Sequence, residues 1–138
     1  THDLATLRGY WTGEDIAAKA RLGVFTQEEE RRQREERARD RHLLLEALAA
    51  EGLHAAAADA PWSPALGQVI HAYLARSPAL LFMVQLDDLA GEAQQANLPG
   101  SVREYPNWRR RLGRSLADIA ADPAVAATIA RIAQERGH

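Results

Sequence analysis

The 138-residue chain contains no cysteine. Disulfides and thiolate metal sites are therefore excluded, and a reducing, cytoplasmic compartment is the expected one. Excess charge of either sign is also missing. Seventeen Lys and Arg stand against nineteen Asp and Glu, a formal net charge of −2, so nothing draws the chain electrostatically to nucleic acid. No apolar run approaches the roughly 20 residues of a membrane helix, and no basic-then-apolar signal pattern opens the chain. No membrane partner is expected. His42, His54, His71 and His138 show no ligand spacing of the HExxH kind, so neither a metal nor a cofactor is expected. The first residue is Thr1 rather than methionine, which suggests a piece cut from something longer.

What is present suits one soluble domain over residues 1–138. Apolar residues make up 46% and charged residues 26%, enough for a modest core. Glu14 to Leu22 reads as a short helix stopped by Gly23. Thr26 and Glu29 form a capping-box pattern, in which each side chain satisfies a free backbone donor at a helix start. That helix is expected to run to about Glu51, with Gly52 as its left-handed stop. Its first half, Gln27 to His42, holds six acids and six arginines. Many are three or four residues apart with opposite sign, which predicts a solvated helix. It lacks the sustained apolar heptads of a coiled coil. Leu43, Leu44, Leu45 and Leu48 then turn the far end toward a core.

Ser63-Pro64 is an N-cap and first-turn pair for a helix to about Arg76, with Leu66, Val69, Ile70, Tyr73 and Leu74 on its apolar face. Asp122-Pro123 opens a last helix with Val125, Ile129 and Ile132 inward. Between them, Ala79 to Leu86 is almost continuously apolar. Such a run predicts a strand buried on both faces, as in a parallel sheet. A buried parallel strand needs partners that this chain does not offer, which points to a missing remainder. On a strand, Asp87 and Asp88 would point to opposite faces and could not act on one substrate.

Two stretches carry a family resemblance. Thr1-His2-Asp3 with Thr6, Gly9 and Trp11 is one. Met83 to Gly91 with Gln94, Asn97-Leu98-Pro99-Gly100 and Tyr105-Pro106-Asn107-Trp108-Arg109-Arg110-Arg111 is the other, and the more specific. Together they resemble the C-terminal part of bacterial 4-α-glucanotransferases (amylomaltases), around the seventh and eighth strands of a (β/α)8 barrel. Ala5 stands where the family commonly has proline, and Ser101 keeps the hydroxyl of its usual threonine. The resemblance implies that Asp3 is the third catalytic carboxylate, stabilising an oxocarbenium-like sugar, and that His2 binds substrate hydroxyls. Asn97, Pro99 and Gly100 would line the active-site end of the barrel.

From residue type alone, Pro99-Gly100 also reads as a turn, Asn97 equally as a site or a turn residue, and Trp108 as a core aromatic. The three arginines after it read as surface cover. The nucleophile and acid/base carboxylates of the family lie on earlier strands and are expected to be absent, leaving the chain inactive alone. The expected fold is mainly α for the isolated chain, corresponding to the last two β/α units of the barrel. Its expected ligand, in a full enzyme, is a maltooligosaccharide or α-glucan. The alternative is an autonomous helical module that covers its apolar segment by self-association.

Overall fold

A computed structural model describes residues 3–53, 57 and 59–137. The described residues form helices joined by irregular segments: α1 (Leu7–Thr12), α2 (Glu14–Arg21), α3 (Gln27–Ala50), α4 (Pro64–Ala75), α5 (Leu86–Ala90), α6 (Leu116–Ala120) and α7 (Pro123–Glu135). Each longer helix starts where local chemistry says it should. The Thr26 hydroxyl accepts the Glu29 N–H while the Glu29 carboxylate accepts the Thr26 N–H, closing the capping box of α3. Ser63 and Asp122 cap α4 and α7, each followed by proline in the first turn. Gly52 takes a φ of 68° just past α3, the left-handed geometry that favours glycine.

Three helices lie outside the sequence expectations, α1, α5 and α6. α6 carries a capping box of its own, Ser115 with Asp118, a legible signal on a helix of only five residues. α1 is held less by propensity than by tertiary contacts at its start. The Thr6 hydroxyl accepts the Gly9 N–H and donates to the Glu92 carbonyl at 2.6 Å. The Asp88 carboxylate accepts the Leu7 N–H at 2.7 Å. A Cβ on Gly9 would stand 2.3 Å from the Ala93 carbonyl oxygen. Only glycine lets this turn approach the 92–93 backbone so closely.

The main core joins Trp11 of α1, Leu48 of α3, Leu53, and Leu66, Ile70 and Ala72 of α4, with Leu44, Leu45 and Trp62 packed around them. The long α3 therefore contributes mostly its apolar C-terminal half. Its charged half runs along the surface with exposed i,i+3 and i,i+4 pairs such as Arg31 with Glu28 and Glu35, each of which stabilises little. Arg37 is different: its guanidinium binds the Asp15 carboxylate through two bonds of 2.8 and 2.9 Å and lies 3.7 Å from the Tyr10 ring centre. It fastens α3 across α1 and α2.

α7 packs along α4, burying Val125 and Thr128, and Arg76 joins Glu135 at 2.7 Å. Ile129, expected inward, is 53% exposed. The buried face follows positions 125, 128 and 132 instead, leaving 129 on its outer edge.

The larger correction concerns residues 79–86. No strand forms among the described residues. Leu80, Leu81 and Met83 are 94%, 84% and 89% exposed, while Phe82 and Val84 are half-buried. The segment is irregular, and its end turns into α5, so Asp87 and Asp88 sit in the first turn of a helix rather than on a strand. A strand needs a neighbour's N–H and C=O groups along its edge, and no described segment supplies them.

Candidate functional site

The loop from Gln95 to Trp108 is built almost entirely from its own polar groups. The Leu98 N–H donates to the Asn107 carboxamide oxygen at 2.8 Å, and the Asn107 Nδ2 donates to the Ser101 carbonyl and hydroxyl. The Ser101 hydroxyl donates to the Leu98 carbonyl at 2.7 Å. Gln95 Nε2 donates to the Asn97 carbonyl, and the Tyr105 hydroxyl to the Gln95 carbonyl. Beneath these bonds Leu98 and Tyr105 pack against Ala18 and Leu22 of the α2 region. The apolar side chains fix the loop to the body, and the polar ones fix its shape.

Within this frame Pro99 and Gly100 form the exposed tip of a turn closed by the Ser101 N–H on the Leu98 carbonyl, 3.2 Å. Gly100 has a φ of 87°, which explains glycine after proline in a type II pattern. Asn97 faces away from the turn's own bonding. Its Nδ2 donates to the Asp3 carboxylate at 2.6 Å, across 94 residues of sequence. The chain's two resembling stretches therefore meet at these two side chains. An amide held on one carboxylate oxygen orients an acidic group without neutralising it, which suits a carboxylate that must face a developing positive charge. His2 lies outside the described residues, as do His54 and His138.

Trp108 is not a core aromatic. It is 63% exposed with a φ of 60°, the only described non-glycine residue with positive φ. Its N–H donates to the Ala96 carbonyl at 3.0 Å, so the loop's closure sets its backbone and turns the indole outward. Gln95, Tyr105 and Asn107 were not identifiable as the loop's fasteners from residue type, because their partners are backbone groups up to ten residues away.

Two cavities flank α5. One, of about 260 Å³, is lined by Asp87, Gln94, Trp108 and Arg111 among others. The other, of about 370 Å³, takes in Asp88 and His71. The adjacent aspartates thus face different spaces. Burial raises the Asp88 pKa above the usual carboxylate range, against the lowering effect of the Leu7 N–H bond. Among the described residues no three His, Cys, Asp or Glu side chains are placed to hold a metal ion, and no helix is long and apolar enough to cross a membrane.

Comparison with known proteins bears on the same residues. The family model described as 4-alpha-glucanotransferase matches residues 1–116. The chain is 30% identical over 141 aligned residues to the 4-alpha-glucanotransferase of Haemophilus influenzae, covering 99% of the chain and 20% of that protein. It is 37% identical over 109 residues to the 4-alpha-glucanotransferases of Mycobacterium bovis and Mycobacterium tuberculosis, covering 79% of the chain and 15% of each. The chain thus spans a fifth or less of the length of these curated relatives. The matched residues include both Asp3 and the Asn97 loop, and the chain belongs to the 4-alpha-glucanotransferase family.

Proposed function

We propose that this chain is the C-terminal part of a catalytic (β/α)8 barrel that moves α-1,4-glucan segments between maltooligosaccharides with retention of configuration. In this reading Asp3 is the carboxylate that stabilises the oxocarbenium-like transition state. Asn97 holds that carboxylate in place, and His2, Pro99 and Gly100 border the bound sugar. The observation that carries it is the 2.6 Å bond between Asn97 and Asp3, which unites two motifs far apart in sequence.

A retaining transfer needs a nucleophile and an acid/base carboxyl roughly 5.5 Å apart. The resemblance assigns both to strands upstream of Thr1. Asp3 then works by electrostatics: it gains more from the positively charged ring in the transition state than from the neutral ground state. The exposed Leu80, Leu81 and Met83 fit this reading, because a barrel strand would be covered by the neighbours on either side of it.

In an enzyme carrying this segment in a whole barrel, Asp3→Asn is expected to lower kcat for maltotriose disproportionation by about 10²–10³-fold. An unchanged kcat rejects the assignment. The 138-residue chain by itself should produce no glucose from maltotriose, and Asp3-dependent turnover by it would show that the other carboxylates lie within it.

The same exposed apolar segment supports a second reading, a non-catalytic module that self-associates through residues 79–86. Sedimentation of the purified chain separates the two. A discrete, stable oligomer favours the module, whereas concentration-dependent, open-ended association favours an uncovered barrel strand.

A further inference from the structure

Asn97 meets the Asp3 carboxylate through an exposed bond of 2.6 Å. Water competes for such a bond, so it orients the carboxylate but is too weak to locate the backbone that carries it. A catalytic group must stay within roughly 0.5 Å of its productive position. The neighbouring chain therefore has to be fixed as well. It is fixed from Thr6 onward, and three residues of chain reach at most about 11 Å, so a shift at that root is carried to Asp3. The Thr6 hydroxyl donates to the Glu92 carbonyl at 2.6 Å and the Arg8 guanidinium to the Gly91 carbonyl at 2.9 Å. Between them the Leu7 N–H donates to the Asp88 carboxylate at 2.7 Å. We propose that Asp88 is a positioning residue for Asp3, holding the root of the Asp3 stretch at Leu7 against α5. This role rests on the reading of Asp3 as the transition-state carboxylate.

The ends of α5 explain how a helix of five residues can serve as the clamp. Asp88 lies in its first turn and brings a carboxylate to Leu7. Gly91, with a φ of 73°, stops the helix at the other end. The Gly91 and Glu92 carbonyls past that stop have no donor within α5, and Arg8 and Thr6 supply one to each. Gly9 completes the contact by its close approach to the Ala93 carbonyl. Residues 6 to 9 thus each meet a group between 88 and 93. Thr6 is only 3% exposed, so its share of the contact is shielded from water.

Within this clamp Asp88 has a place of its own. Gly91, Glu92 and Ala93 contribute backbone carbonyls, which any sequence would have, whereas Asp88 contributes a side chain. Leu7 is the first residue of α1, and its N–H has no acceptor inside that helix. The Thr6 hydroxyl is already spent on the Gly9 N–H. α1 therefore takes its cap from Thr6 and its placement from Asp88.

Two-dimensional NMR of the isotope-labelled 138-residue chain reads the placement of Asp3 without catalysis. The Asn97 Nδ2 protons report its bond to Asp3, and Asp3→Ala marks where they fall once that bond is lost. Asp88→Ala is expected to move them at least halfway to that mark. Asp88→Asn, which keeps an acceptor for the Leu7 N–H, should leave them near their native position. The Leu98 N–H, bound to Asn107 inside the loop, should stay where it is, which separates release of Asp3 from loss of the fold. Leu7→Pro is a second variant that removes the donor instead and should act like Asp88→Ala. Proline is tolerated at the first helical position, and Thr6 before it already has the extended φ of −63° and ψ of 158° that proline favours. Native Asn97 positions in either variant would overturn the proposal. So would equal movement of the Leu98 N–H in both, which would assign Asp88 to the fold at large.

In a whole barrel, Asp88→Ala should lower kcat for maltotriose disproportionation by about 10–100-fold while KM changes less than about threefold. Asp88→Asn should recover most of that loss. A loss of kcat in Asp3→Asn but not in Asp88→Ala overturns the positioning role alone. Unchanged kcat in Asp3→Asn is the failure of the proposed function, and it overturns the positioning role with it whatever the Asn97 protons do.

Discussion

The segment 79–86 and the loop 95–108 reverse the usual expectation for apolar and polar sequence. The first is almost wholly apolar yet has three large side chains more than four-fifths exposed. The second is rich in polar residues yet holds one of the most completely buried leucines, Leu98. The difference lies in where each finds its partners. Hydrogen bonds among Gln95, Leu98, Ser101, Tyr105 and Asn107 close within about a dozen residues. The apolar segment can be satisfied only by surface from elsewhere, and the described residues do not provide it. Hydrophobicity describes what a segment needs; it does not supply the cover.

The sharpest test of this contrast is a matched pair of leucine truncations. Leu98→Ala should destabilise the chain by about 2–5 kcal/mol, the usual cost of a cavity at a fully buried leucine. Leu81→Ala should change stability by less than about 0.5 kcal/mol. Urea denaturation followed by circular dichroism measures both, and similar losses in the two variants would contradict the exposure of 79–86.

A smaller loss is expected from Asn107→Ala, on the order of 1–3 kcal/mol, because the Leu98 N–H then loses its acceptor inside the loop. Asn107→Asp should recover part of it, since a carboxylate oxygen can still accept that bond. If alanine at 107 leaves the denaturation midpoint unmoved, the loop is not held by its own polar groups.

The smallest effect, and the one with a definite sign in pH, comes from Asp88 beside the end of the apolar segment. Burial raises its pKa in the folded chain. Its contribution to stability is therefore fully present below the unfolded value and is lost as pH rises through the folded one. Asp118, Asp122 and Glu135 behave oppositely. The Ser115 hydroxyl at Asp118, the Ala124 N–H at Asp122 and the Arg76 guanidinium at Glu135 lower their pKa values, so their contribution is lost as pH falls. The whole chain should melt at lower temperature in acid, while Asp88→Asn, which keeps an acceptor for the Leu7 N–H, should gain stability relative to the native chain as pH is raised from about 4 to 7. An unchanged difference across that range would show that Asp88 is not desolvated.

Legibility of the site followed the same division. The family resemblance pointed to Asp3, Asn97, Pro99 and Gly100, and the turn chemistry of Pro99-Gly100 was plain from the two residues alone. That Asn97 donates to Asp3 could not be read from either motif, because 94 residues separate them. Trp108 misled for a physical reason: indole is usually buried, but the closure of the loop on Ala96 imposes a left-handed backbone at 108 and turns the ring to solvent. The cavity around His71 and Asp88 gave no sequence signal, since its walls come from five separate stretches.

The starts of the longer helices, and the stop of α3, were determined by the sequence itself. Thr26 with Glu29, Ser63-Pro64, Asp122-Pro123 and Gly52 act through partners within four residues, so their geometry follows from covalent neighbours. Tertiary structure alone decided three other matters: that 79–86 lies uncovered, that Gly9 meets the Ala93 carbonyl, and that Asn97 reaches Asp3. Each of these depends on surfaces brought together from distant parts of the chain, and burial is a property of the pair of surfaces rather than of either segment.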